Sequence, residues 1–206
     1  MIEISKTPIF TREVYSFLLP NCEQIKKDIQ QIILVEENYN IHSINTKPEE
    51  ECNIRAKRTA WNSHQKYPIL QMLSDNIKEY ILSFIKQEDY DIPKISTQNC
   101  WINWYGKNQN ALPHSHANHL SAVLFVDVEK SDAKFFAHSN DNFVMYKKTD
   151  LYENFSNVKE IIPKDGTVLF FDGNMMHSVS PNQSDNKRIT VAINYEVGYP
   201  TQRNEY

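Results

Sequence analysis

The hydrophobic period of the chain changes near residue 97. Upstream, apolar residues recur at helical spacing. Ile25, Ile29, Ile32 and Ile33 stand at i, i+4, i+7 and i+8, the stripe of an amphipathic helix over about 21–36. Asn21 is placed to cap it, with Gln24 three residues on as capping-box partner. Leu70, Leu73, Ile77, Ile81 and Phe84 predict a second helix over roughly 68–86, with Pro68 in its first turn. Pro93 bars continuation past the residue before it. The polar stretch 40–62, with Lys47-Pro48-Glu49-Glu50-Glu51, reads as an exposed loop that carries a strand or a lid.

Downstream the pattern turns to short strands: Asn99–Tyr105, Leu120–Val128, Lys134–Ala137, Phe143–Tyr146, Thr167–Phe171 and Arg188–Glu196. Pro163-Lys164-Asp165-Gly166 is a turn between two of them. Many short strands behind two helices predict a mainly β fold with N-terminal helices. The architecture expected is a cupin-like double-sheet jelly roll braced on one side. Residues 1–206 are expected to form a single domain, with a helical and loop part at 1–96 and a jelly-roll core at 97–200.

Composition narrows the class. A net charge of −4 offers no basic surplus for nucleic acid or an anionic membrane. Cys22, Cys52 and Cys100 are odd in number and widely spaced, against a disulfide framework or a zinc knuckle. A reducing cytoplasm is the simplest compartment. Met-Ile-Glu-Ile-Ser-Lys does not open a signal peptide, and runs such as Ile32-Ile33-Leu34-Val35 fall short of a membrane span. None of the four glycines belongs to a phosphate-cradling loop.

The candidate chemistry lies in the histidines. On a strand, side chains i and i+2 share a face, so His114 and His116 point together and Ser115 points away. Two neutral imidazoles at that spacing suit one divalent metal, and His177, delivered by a hydrophobic strand and a bend at Gly173, could close the set. Surface histidines at a strand end explain the pair equally well. His119 leaves the face of the other two; His42, His64 and His138 read as solvent-facing or locally hydrogen-bonded. From residue 188 the chain alternates strictly: Ile189, Val191, Ile193 and Tyr195 on one face, Arg188, Thr190, Ala192 and Asn194 on the other. Turned inward, that second face would bury a guanidinium with no carboxylate beside it on the strand. A bound dicarboxylate would supply the partner, with Thr190 as a hydroxyl donor.

Taken together, Trp101-Ile-Asn103, His114-Ser-His116, Leu120-Ser121-Ala-Val123, Gly166-Thr-Val-Leu-Phe170, His177-Ser-Val-Ser-Pro181-Asn182 and Arg188-Ile-Thr190 resemble the Fe(II)/2-oxoglutarate-dependent dioxygenase superfamily. The likeness is to its bacterial and phage 2-oxoglutarate-Fe(II) oxygenases and covers about 99–196. The resemblance implies a double-stranded β-helix, Fe(II), 2-oxoglutarate and O2, and hydroxylation of a peptide, an amino acid or a small metabolite. It matches His114 and His177 to iron ligands, Arg188 to the partner of the distal carboxylate of 2-oxoglutarate, and Thr190 to its helper. Tyr105 matches an aromatic hydroxyl touching the same carboxylate, and Asn103 a pocket residue. The usual pattern is His-x-Asp/Glu, whereas this chain has His116 at the third position. Either His116 completes a three-histidine site, or it stands behind a two-histidine site with water in the vacant position. Asp172 is the substitute carboxylate, which strand geometry disfavours. Trp61, Trp104 and Tyr67 either line a substrate cleft or fill the core. Neither nucleic acid nor membrane is expected as partner, and a homodimer is left open. The competing readings are a non-catalytic cupin-like metal-binding or structural module, and an interaction protein in which the histidines are incidental.

Overall fold

The computed structural model describes residues 13–39, 53–88, 93–116, 118–128, 134–139 and 158–198. Ten strands and three helices lie among them: β1 (Val14–Leu18), α1 (Cys22–Tyr39), β2 (Lys57–Arg58), α2 (Ser63–Lys66), α3 (Pro68–Gln87), β3 (Lys94–Tyr105), β4 (Ala111–His114), β5 (Leu120–Asp127), β6 (Phe135–His138), β7 (Val158–Ile161), β8 (Thr167–Asp172), β9 (His177–Val179) and β10 (Arg188–Gly198). They form a six-stranded sheet, ordered β1-β8-β5-β10-β3-β2, and a four-stranded sheet, ordered β4-β9-β6-β7. Every pair of named strands is antiparallel. This is the jelly roll, braced by helices. No helix among the described residues is long and apolar enough to cross a membrane.

The period-2 alternation sorts the large sheet into two faces. Cys100, Ile102 and Trp104 of β3, Ala122 and Leu124 of β5, Val168 and Phe170 of β8 and the Ile189-Val191-Ile193-Tyr195 row of β10 pack against the helices. The isoleucine stripe of α1 and the Leu70-Leu73-Ile77-Ile81 stripe of α3 cover them, all buried. The opposite face carries Phe125, Leu169 and Phe171, which meet Phe135 and Met175 from the small-sheet side. Trp104 and Tyr67 thus belong to the helix-side packing, and Trp104 donates its Nε1 hydrogen to Glu37 at 2.9 Å.

Several expectations need correction. The first helix begins where expected, but Asn21 sits at φ 60 and Gln24 turns to Asp28 (2.9 Å), so no capping box forms. The Asn21 carbonyl still accepts from Gln24 and Ile25. The described part of the polar stretch, residues 53–62, is not an exposed loop. Asn53 and Arg55 exchange backbone hydrogen bonds with Leu112 and Asn110, β2 pairs with β3, and Arg58 and Thr59 are buried. Residues 40–52 and the expected strand Phe143–Tyr146 lie outside the described residues. The turn before β8 forms as expected, with Thr167 donating to the Lys164 carbonyl at 3.0 Å and Gly166 at φ 83. His64 is buried rather than solvent-facing and is hydrogen-bonded to the Cys100 backbone, while its Nδ1 lacks a partner. His138 bonds Ser178 through Nε2 at 2.8 Å.

Candidate metal centre

β4 and β9 pair so that His114 lies opposite His177, and His116 follows two residues beyond the end of β4. The ring centroids of His114 and His177 are 4.3 Å apart, those of His116 and His177 4.9 Å, and those of His114 and His116 5.4 Å. One ring nitrogen from each lies within 4.8 Å of the other two. This is the one group of three or more metal-ligating side chains among the described residues. His119 is not part of it; its Nδ1 accepts the backbone N–H of Val197 at 3.0 Å. Asp172 is exposed and caps its own turn, accepting the Asn174 N–H at 2.8 Å.

The protonation of the three rings follows from their neighbours. His114 Nδ1 stands 2.7 Å from the Leu112 carbonyl, and His177 Nδ1 stands 3.0 Å from the Met175 carbonyl. A carbonyl oxygen only accepts, so each Nδ1 carries the hydrogen and each Nε2 keeps its lone pair. His116 Nδ1 stands 2.8 Å from Asn194 Oδ1, another pure acceptor, with the same result. Burial lowers the pKa of His114. Burial, and then the charge His114 would carry, brings His116 down to about 4. Burial and the charges of its two neighbours bring His177 to about 3. All three are neutral at pH 7, the form that ligates metal. Phe135 stacks on the His177 ring at 5.3 Å and Phe171 meets it edge-on at 5.0 Å, so apolar walls hold the ring in place.

The histidines open into a small cavity between the sheets, also lined by Trp101, Asn103, Tyr105, Phe125, Thr190 and Ala192. A groove of about 510 Å³ between α1 and α3 is far larger, but it lies on the helix side of the large sheet and holds no histidine. Arg188 is fully buried two residues before Thr190, on the same face of β10. Its guanidinium carbon lies 5.4 Å from the ring centroid of Tyr105, its cross-strand partner, and Nη1 donates to the Ser180 carbonyl at 2.6 Å. Asn103 lies between Thr190 and Arg58 in one cross-strand row and accepts the Trp101 Nε1 hydrogen at 3.0 Å. Of the sequence candidates, then, His114, His116, His177, Tyr105, Asn103 and Thr190 line one cavity, and Arg188 lies outside that lining, two residues before Thr190 on the same face of the strand.

Residues 99–194 match the family described as "Putative 2OG-Fe(II) oxygenase". Over this part the chain is similar to the Fe(II)/2-oxoglutarate-dependent oxygenase superfamily. Among solved structures, HygX from Streptomyces hygroscopicus, with nickel, 2-oxoglutarate and hygromycin B bound, superposes with a TM-score of 0.61 at 12% identity, over 95% of this chain and 86% of that one. A Pseudomonas putida prolyl-4-hydroxylase gives 0.61 at 12% identity, over 90% and 93%. A Trichoplax adhaerens prolyl hydroxylase, in complex with a hypoxia inducible factor peptide fragment, gives 0.61 at 14% identity, over 90% and 84%. At these identities the likeness is one of fold. No curated protein matches the chain.

The donor set fits the oxygenase metal in kind: three neutral imidazoles suit iron, nickel, zinc or copper. It differs in charge. No carboxylate belongs to the cluster, so the protein leaves both positive charges of a divalent ion for anionic ligands to balance. Sequence reasoning missed Trp101 as a cavity wall, with its ring 5.8 Å from that of His116, and missed the contact of Asn194 and Ser121 with His116. Asn194 shares the alternating face of Arg188 and Thr190, the one signal that could have flagged it.

Proposed function

We propose that the protein is an Fe(II)- and 2-oxoglutarate-dependent dioxygenase that hydroxylates a C–H bond of a small molecule or peptide. His114, His116 and His177 hold the metal through Nε2. Arg188 takes the distal carboxylate of 2-oxoglutarate, with hydrogen-bonding help from Thr190 and Tyr105, and Asn103 borders the same pocket. The observation that carries this reading is the meeting of three tautomer-fixed imidazoles, in one cavity, with the polar face of β10 that bears a fully buried arginine. A plain metal-binding module has no need of that cation, which speaks against the cupin-like alternative.

When bound, the metal supplies oxidative chemistry with O2, coupled to conversion of 2-oxoglutarate into succinate and carbon dioxide. The chain's own part is binding, orientation and exclusion of water. The planar guanidinium of Arg188 fits a carboxylate with two parallel hydrogen bonds and fixes the length of diacid accepted. Phe125, Phe135 and Phe171 keep the surroundings of the histidines apolar, which strengthens each polar contact inside. The substrate class rests on two relatives of this fold, one holding hygromycin B and the other a peptide fragment.

The test is anaerobic addition of Fe(II) and then 2-oxoglutarate to the purified protein. A weak visible charge-transfer band is expected, weakened in Arg188→Ala, with succinate forming once air is admitted. Well-folded protein that gives neither band nor succinate would return the chain to the structural-module reading.

A further inference from the structure

Two of the three histidines are oriented by backbone carbonyls two residues behind them, at Leu112 and Met175. A substitution leaves such an acceptor in place. His116 differs, because side chains from two strands of the large sheet hold its Nδ1. Asn194 Oδ1 on β10 stands at 2.8 Å and Ser121 Oγ on β5 at 2.9 Å. Asn194 and Ser121 are cross-strand partners, both buried. The Ser121 hydroxyl has Asn118 Oδ1 at 3.1 Å and Asn194 Oδ1 at 3.3 Å as acceptors, so it meets Nδ1 with a lone pair. Both contacts therefore favour the hydrogen on Nδ1. Next to Asn194 the pairing of β10 with β3 slips, Asn194 facing Asn99 and Tyr195 facing Thr97. Irregularities of this kind re-aim side chains near functional sites.

From this we infer that Asn194, seconded by Ser121, is a positioning residue that turns His116 Nε2 toward the metal and sets how strongly it donates. The inference rests on the functional reading above and extends it to a residue outside the ligand set. Asn194 is also the point where charge can be returned to the site. A carboxylate at 194 would accept the same hydrogen bond and make the imidazole a stronger donor, supplying from behind the negative charge that His116 lacks as a ligand.

The probe is Co(II) alone, titrated into the folded protein and followed by its visible d–d absorption. Asn194→Leu is expected to weaken Co(II) binding about 10- to 100-fold and to change the band shape, the usual consequence of losing such a partner. Asn194→Asp is expected to tighten it about tenfold. A folded Asn194→Leu with wild-type affinity and spectrum overturns the inference. So does Asn194→Asp with unchanged or weaker affinity, which decides the matter even if the leucine variant fails to fold. Co(II) lost in His114→Ala but kept in His116→Ala overturns it while leaving a two-histidine site standing. Wild-type protein that takes up no Co(II) overturns the functional reading and this inference together.

Discussion

The loop that carries His116 is gripped at one residue that has no side chain. The Gly173 carbonyl accepts the His116 N–H at 2.9 Å, and the Gly173 N–H donates to the His119 carbonyl at 3.3 Å. A Cβ placed on Gly173 would stand 2.1 Å from Asn118 Oδ1 and 2.3 Å from the Asn118 carbonyl oxygen. Asn118 cannot yield locally, since its amide donates to the Leu120 carbonyl at 2.6 Å and its Oδ1 faces Ser121. Relief must come from moving His116 and Asn118. Gly173→Ala is thus expected to cost about 1–3 kcal/mol of stability, the usual range for overpacking a close contact. It should also weaken metal binding, because His116 rides on the displaced segment. Thermal unfolding and Co(II) titration of the same variant check both; an alanine accepted with neither change would mean that the loop is slack.

At the scale of elements, α1 is tied down at its C-terminal end by two carboxylates. Glu36 is buried, receives Lys66 Nζ at 2.6 Å and is hydrogen-bonded by the Tyr67 hydroxyl. Glu37 accepts from Trp104 Nε1 at 2.9 Å and from Lys187 Nζ at 2.7 Å, with Lys57 Nζ at 3.5 Å, and so joins the helix to β3, to the residue before β10 and to β2. Burial alone would raise the Glu37 pKa. The hydrogen bonds from Lys187 and Trp104 and the charges of Lys187 and Lys57 outweigh it and hold the group below its usual value. A depressed carboxylate stabilises the fold above its unfolded pKa, and that contribution is lost as pH falls through the folded value. Glu37→Gln is expected to cost about 1 kcal/mol at pH 7, since its lysine partners are half exposed and screened. The gap between the two melting temperatures should close as pH drops below about 4. A gap of the same size at both pH values would assign the effect to shape rather than charge. The helix stripes were legible because a long element repeats its pattern several times, and β10 was legible for the same reason. β1 was not, being a short edge strand whose exposed side reads as loop, and β2 was legible only as an unplaced strand within the stretch 40–62. β4 and β9, of four and three residues, are too brief to alternate visibly, although they place His114 against His177. The contact of Asn194 with His116 depends on the pairing of Asn194 with Ser121 across two strands, a register that no local pattern encodes.

For the whole molecule, the large sheet divides two packings of different purpose. On one face α1 and α3 bury an aliphatic core around Ile29, Leu73 and Ile77, each fully buried. On the other, aromatic side chains and the histidine cavity fill the space between the sheets. His114 and His177 belong to the small sheet, whereas His116 is fastened to Asn194 of the large one. An ion bound by all three would therefore stitch the two sheets together. A ligand that binds only the folded chain stabilises it by about 2.7 kcal/mol at a hundredfold excess over Kd. For a chain of this length that is a rise of about 5–10 °C in Tm. Ni(II) is expected to produce such a rise in wild type, EDTA to reverse it, and His177→Ala to abolish it. Ile29→Ala is the control from the other face. It should lower stability by about 2–5 kcal/mol, as large-to-small core changes do. Yet the Ni(II) increment should survive almost intact, because sites that share no partner add independently. If Ile29→Ala erased the increment as well, the helix-side core and the metal site would be one cooperative unit, and the division of labour across the large sheet would be wrong.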